Sequence, residues 1–193
     1  MTTLILGPVR SGKSARAQTL AQAGGKRVIF AATAVDDPDD VEMRDRIGRH
    51  RRERPTAWTT VETAGAHGTD LETVLREAPP DACVLIDALG TWVAAQLLAW
   101  PDFTDHDAVE AAAALDARGL ALARALAESR ADTIVVAEET GWGVVPASPL
   151  GRVFRDVLGR LSQRVAAQAD RVELVVAGFA VDLAAIGRPV GRV

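Results

Sequence analysis

The chain has 193 residues, 48% of them hydrophobic and 25% charged, which fits one globular domain over 1–193 and excludes collagen-like, low-complexity and disordered readings. Its 22 basic residues against 26 acidic ones leave a net charge of −4, without the excess that grips a nucleic-acid backbone, so no nucleic-acid partner is expected. The apolar stretches, such as Val172 to Ala180 interrupted by Glu173, fall short of the roughly 18 residues of a spanning helix, so no membrane anchor is expected.

The start of the chain has neither the basic region nor the long apolar region of a secretory signal, and the cytoplasm is the expected location. Short β-rich runs alternate with longer helical patterns from end to end, which predicts an α/β fold with a mainly parallel sheet flanked by helices. In chain order, a strand over Thr3 to Leu6 precedes a helix over Ser14 to Ala23 and a strand over Arg27 to Ala31. A charged helix over Val41 to Glu53 comes next, stopped by Pro55, and Trp58 to Glu62 returns in an extended pattern. Helical patterns over Thr69 to Arg76, Gly90 to Trp100, Asp107 to Arg130 and Leu150 to Ala169 enclose strands over Val84 to Asp87 and Thr133 to Ala137. A last strand over Val172 to Ala177 leads into Phe179 to Val193, which either adds a small edge strand or frays. Cys83, the only cysteine, falls in the apolar run Ala82 to Ile86 and reads as buried filler.

Chemistry enters first at Gly7 to Ser14. The string GPVRSGKS fits G-x-x-x-x-G-K-[ST] and has a strand before it and a helix after it, the context that a phosphate-binding loop requires. Only 2 of the 22 basic residues are lysines, and one of them, Lys13, stands where the motif needs a compact ammonium to reach phosphate oxygens. Gly7, Pro8, Val9, Arg10, Ser11 and Gly12 would wrap the phosphates with backbone N–H groups, and the Ser14 hydroxyl would ligate Mg²⁺. Asp87, ending an apolar strand, is the candidate second ligand of the metal.

The second feature is the basic helix. Residues Glu42 to Arg54 carry six arginines against three acids, and Arg46, His50 and Arg54 fall at i, i+4 and i+8. On a helix this makes one stripe with an imidazole between two guanidiniums, suited to a polyphosphate. Neighbouring cations favour the uncharged ring, the form that can attack phosphorus. A solvated helix laced with charge pairs is the alternative reading of the same run. His67 and His106 sit in polar, turn-like surroundings and read as solvated loop residues.

Taken together, GPVRSGKS, Ala32-Thr33, the spaced EMxxRIxxHxxxRPxxWxTxE run from Glu42 to Glu62, Glu139 with GWGVVP at Gly141 to Pro146, and the closing string Phe154 to Gly178 resemble the bifunctional adenosylcobinamide kinase/adenosylcobinamide-phosphate guanylyltransferases of cobalamin biosynthesis. The resemblance implies a P-loop fold akin to the RecA-like ATPases and a homotrimer. It implies that His50 carries a covalent guanylyl group, with Lys13 the other catalytic residue. Nucleotide contacts carried over by position are the loop Gly7 to Ser14, Thr33, Ala34 and Val35, then Arg51, Arg52, Glu53 and Arg54, with Glu62 and Asp87. The implied substrates are ATP, GTP and the corrinoid adenosylcobinamide, with Mg²⁺ as cofactor. The carboxylate that accepts the substrate's hydroxyl proton is open among Asp87, Glu62 and Glu139. Two other readings accompany this one: a P-loop kinase of small metabolites without guanylyl transfer, and a RecA-like ATPase module working on nucleic acid or a protein. The basic run lacks the interleaved aromatic rings on which single strands stack, which disfavours the nucleic-acid form of the second.

Overall fold

The computed structural model describes residues 1–37, 39–65, 68–98, 100 and 103–190, and for Arg46 and Glu53 the backbone alone. Seven strands form one sheet in the order β3-β2-β4-β5-β1-β6-β7. They are β1 Thr2–Gly7, β2 Arg27–Ala32, β3 Thr59–Glu62, β4 Ala82–Asp87, β5 Asp132–Glu138, β6 Arg171–Val176 and β7 Phe179–Asp182. All neighbours pair in parallel except β6 and β7. The α/β fold with a mainly parallel sheet is as the sequence predicts. Strands β4 and β5 are apolar along nearly their whole length because both faces of the sheet are covered.

The helices are α1 Lys13–Ala23, α2 Val41–Glu53, α3 Leu71–Glu77, α4 Leu89–Leu97, α5 Asp105–Glu128, α6 Pro149–Ala166 and the short α7 Leu183–Ile186. One face of the sheet is covered by α3, α4, α5 and α6, whose core includes the fully buried Leu71, Leu75, Trp92, Leu122 and Leu158. Helix α1 covers the other face with Ala17 and Ala21, small residues one turn apart that let the helix lie close on β1, β4 and β5. Gly119 of α5 likewise admits Leu161 of α6, where an added Cβ would come within 3.2 Å of the leucine Cδ1. The Ala-rich composition of α5 serves this close packing.

Several boundaries differ from the sequence reading for identifiable reasons. Helix α5 starts at Asp105, two residues early, because Asp107 turns back to accept from the Thr104 N–H at 2.8 Å and caps the new first turn. His106 therefore lies in that first turn, exposed, and is a helical residue instead of a loop residue. His67 lies outside the described residues. Helix α4 stops at Leu97, and the run on to Trp100 is not helical where described. The end of the chain adds an edge strand: Ala177 and Gly178 both adopt positive φ, 50° and 82°, a tight turn that folds β7 back on β6. Cys83 is buried, and burial pushes its thiol up to about 11.

Candidate functional site

Parallel pairing gathers the C-terminal ends of the central strands along one edge. The register puts Gly7 of β1 beside Glu138 of β5, and Asp87 of β4 beside Ala32 of β2. The phosphate-loop motif leaves β1 there and enters α1 at Lys13. Gly12 turns through the left-handed region at φ 98° and Arg10 through φ 59°, the kind of backbone reversal that points successive N–H groups into a concave nest. Gly7 has no room for a side chain: an added Cβ would collide with the Val175 carbonyl and lie 2.6 Å from Ser11 Oγ. Lys13 is buried, and its Nζ donates to the Pro8 carbonyl across the loop at 3.2 Å. Ser11 Oγ, close against Gly7, is buried without a hydrogen-bond partner among the described residues.

Next to the loop lies a cleft of about 570 Å³, counting its open mouth. Ser14, Thr33, Asp87, Thr91 and Glu138 form its polar wall, and His50 and Arg51 of α2, Arg54 just after that helix and Glu62 of β3 line it as well. Phe30, Met43 and Ile47 supply apolar lining. Ser14 Oγ donates to Asp87 Oδ1 at 3.1 Å, so the two residues read as metal ligands are adjacent. The Asp87–Ala88 peptide is cis. Thr33, fully buried, donates to the Ala88 carbonyl and accepts from the Ala88 N–H, both at 2.7 Å, and bonds the Thr91 hydroxyl, which ties the end of β2 to the strand-to-helix turn carrying Asp87.

The Arg54 guanidinium lies over the Phe30 ring at 3.4 Å, and Trp58 stacks with Phe30 at 6.4 Å between centroids. Arg54 also donates to Thr60 Oγ1 at 2.8 Å, while its Nε is buried without a partner. Burial lowers its guanidinium from the ordinary arginine value, against the pull of Glu62 and Asp87. Arg51 donates to Glu62 Oε1 at 3.0 Å. Of the residues singled out in the sequence, Ser14, Thr33, Ala34, His50, Arg51, Arg54, Glu62 and Asp87 border the cleft. Gly7 to Lys13 do not border it; Arg52, exposed on α2, and Val35, in the loop after β2, do not either, and the Glu53 side chain lies outside the described residues. Glu139, the candidate base at this strand end in the sequence, does not border the cleft, and its Oε1 accepts from the Gly141 N–H at 2.8 Å; Glu138, not a candidate from the sequence, borders it. Glu138 Oε2 instead accepts from the Gly90 N–H at 2.8 Å, and burial raises its carboxyl above the ordinary glutamate range, against Lys13 and that N–H. Alternation along a strand makes one residue of a Glu-Glu pair face the cleft, and a sequence without register cannot say which.

Ser14 at the end of the phosphate-loop motif and a cationic wall with an imidazole border one cleft, an arrangement that suits transfer of phosphorus groups between bound substrates. A family model described as CobU, cobinamide kinase / cobinamide phosphate guanyltransferase, matches residues 3–183. The chain belongs to this family. It is similar to the bifunctional adenosylcobalamin biosynthesis protein CobP of Pseudomonas aeruginosa, 38% identical over 183 residues, 95% of this chain and 97% of the relative. It is also similar to the bifunctional adenosylcobalamin biosynthesis proteins CobU of Escherichia coli and Salmonella typhimurium, each 36% identical over 95% of this chain and 99% of the relative. The CobU family's two activities, cobinamide kinase and cobinamide phosphate guanylyltransferase, are those the sequence predicts, and they make this chain a transferase of cobalamin assembly. No helix among the described residues is long and apolar enough to cross a membrane.

Proposed function

We propose that the chain phosphorylates the hydroxyl of the aminopropanol arm of adenosylcobinamide from ATP or GTP, and then transfers GMP from GTP through His50 to the new phosphate, giving adenosylcobinamide-GDP. The observation that carries this reading is the shared cleft, which Ser14 and Asp87 at the phosphate-loop side border together with His50, Arg51 and Arg54. Catalysis in the first step is positioning and charge neutralisation by Lys13 and the loop N–H groups. In the second, a ring nitrogen of His50 attacks the α-phosphorus of GTP. Pyrophosphate leaves, a phosphoramidate forms, and the substrate phosphate then displaces the histidine. Arg54, seated on Phe30, is a fixed cation for the charge that develops at the phosphorus.

The residues also fit Mg²⁺. Ser14 and Asp87 are hard oxygen donors in hydrogen-bond contact, and the described residues contain no group of three or more His, Cys, Asp or Glu that would build a closed protein cage. A metal held by one or two protein oxygens, water and phosphate is the habit of Mg²⁺. When bound it would offset phosphate charge.

The whole chain acts as one catalytic domain, and a homotrimer in the cytoplasm is the proposed state, the assembly resting on family resemblance. Sedimentation equilibrium giving a monomer at enzyme-assay concentrations would refute the trimer. The test of the function is incubation with GTP and Mg²⁺ without corrinoid, followed by intact mass and peptide mapping. An acid-labile, GMP-sized adduct on the peptide containing His50 is expected. Protein that binds GTP and forms no adduct would leave only the phosphate-loop kinase.

A further inference from the structure

The kinase step needs a group to receive the proton of the attacking hydroxyl, and the cleft offers three carboxylates: Glu62, Asp87 and Glu138. Glu62 is half-exposed and ion-paired to Arg51 at 3.0 Å. Asp87 receives the Ser14 hydroxyl and belongs with it to the metal position. Glu139 is held by Gly141 outside the cleft. We infer that Glu138, at the end of β5 beside the first glycine of the phosphate loop, is the general base that accepts the corrinoid hydroxyl proton in the kinase step. The inference rests on the functional reading above and deepens it.

Two features of the surroundings argue for a built position. The register sets Glu138 level with Gly7, so its carboxylate lies where β1 gives way to the phosphate loop. The residue that meets it on α4 is a glycine: a Cβ at position 90 would collide with Glu138 Oε2 and lie 2.7 Å from its Cδ. Absence of that side chain lets the Gly90 N–H, in the first turn of α4, donate to Oε2 and fix the carboxylate's direction. Glu138's own backbone N–H is the other backbone group that bears on the carboxylate, which borders the cleft where a substrate would lie. The charged groups that bear on the carboxylate are Lys13 of α1 and Asp87 of β4. Burial raises the Glu138 carboxyl above the ordinary glutamate value, and Lys13 acts the other way by favouring the carboxylate.

In the step, the hydroxyl oxygen forms a bond to the γ-phosphorus as its proton passes to the Glu138 carboxylate. The bond from that phosphorus to the β–γ bridging oxygen breaks, and the electron pair leaves with the nucleoside diphosphate. The proton is later released to water. Guanylylation of His50 by GTP has no hydroxyl proton to remove and does not need this base, so the two activities separate the roles.

The experiment is Glu138→Gln in the full chain, assayed for ATP-dependent phosphorylation of adenosylcobinamide, for His50 guanylylation without corrinoid, and for GTP affinity. The expected result is a fall in kinase kcat of about 100-fold or more, the usual worth of a general base, with guanylylation and GTP affinity within tenfold of the parent. A kinase kcat within tenfold of the parent overturns the assignment, and so does a folded variant that loses kinase, guanylylation and GTP affinity together, since that is a structural role. If the glutamine variant does not fold, Glu138→Asp decides on the same ratio: kinase lost more than guanylylation supports the base, equal losses overturn it. Parent protein that binds GTP but never phosphorylates the corrinoid refutes the functional reading itself, and this assignment falls with it.

Discussion

Gly7 shows how tightly single atoms constrain this site. It is the last residue of β1 and the first of the phosphate loop, and a methyl group there would meet the Val175 backbone carbonyl, which belongs to β6 and has no freedom to move aside. Gly7→Ala is therefore expected to cost about 1–3 kcal/mol of stability by overpacking and to weaken nucleotide binding by displacing the loop. Thermal unfolding and GTP titration of the variant check both effects; an unchanged melting temperature with parent-like affinity would refute the close approach. The glycines of the motif were legible in the sequence through spacing alone, but the reason for the first of them was not, because the carbonyl it avoids lies 168 positions further along the chain.

Between elements, Glu173 is the clearest tie. Its side chain is 1% exposed on β6, receives Arg16 of α1 through two hydrogen bonds of 2.9 Å, and pairs with Arg171 at 2.7 Å. The Arg16 hydrogen bonds hold its carboxyl below the ordinary glutamate value, despite burial acting the other way. A depressed folded-state value means that the unfolded chain binds the proton first on acidification, so this stability is fully present above the unfolded value near 4.5 and is lost as pH falls through the lower folded value. Glu173→Gln is expected to cost about 3 kcal/mol at neutral pH, the low end for a broken buried pair because both arginines stay partly exposed. Denaturant unfolding should show that gap narrowing as pH drops below 4.5, and a gap independent of pH would refute the pairing as its source. In the sequence, Glu173 was visible only as an interruption of an apolar strand.

At the scale of the molecule, the central fact is that one cleft joins the phosphate loop side to the histidine helix. Lys13→Ala is therefore expected to damage phosphorylation and guanylylation alike, whereas His50→Ala should abolish guanylyl transfer and leave kinase activity. Paired assays of the two variants check this, and a Lys13→Ala enzyme with parent kinase rate would refute the loop's role. Helix α2 reaches the cleft with no buried residue among those described, so its place there comes from Met43, Ile47, His50 and Arg51 at the cleft itself, not from a hydrophobic core beneath it. Nothing in its periodicity could have distinguished that placement from a solvated surface helix.

By itself the sequence determined the α/β alternation, the phosphate loop, the metal pair at Ser14 and Asp87 as candidates, and, through resemblance, the family. These are local strings whose chemistry depends on spacing within a strand, a turn or a helix. Tertiary structure decided the strand order, the hairpin that closes the sheet at β7, and the choice of Glu138 over Glu139 at the cleft. Each of those depends on register between segments far apart in the chain, and register is set by which faces can be buried together, a property of the assembled sheet and not of any one segment.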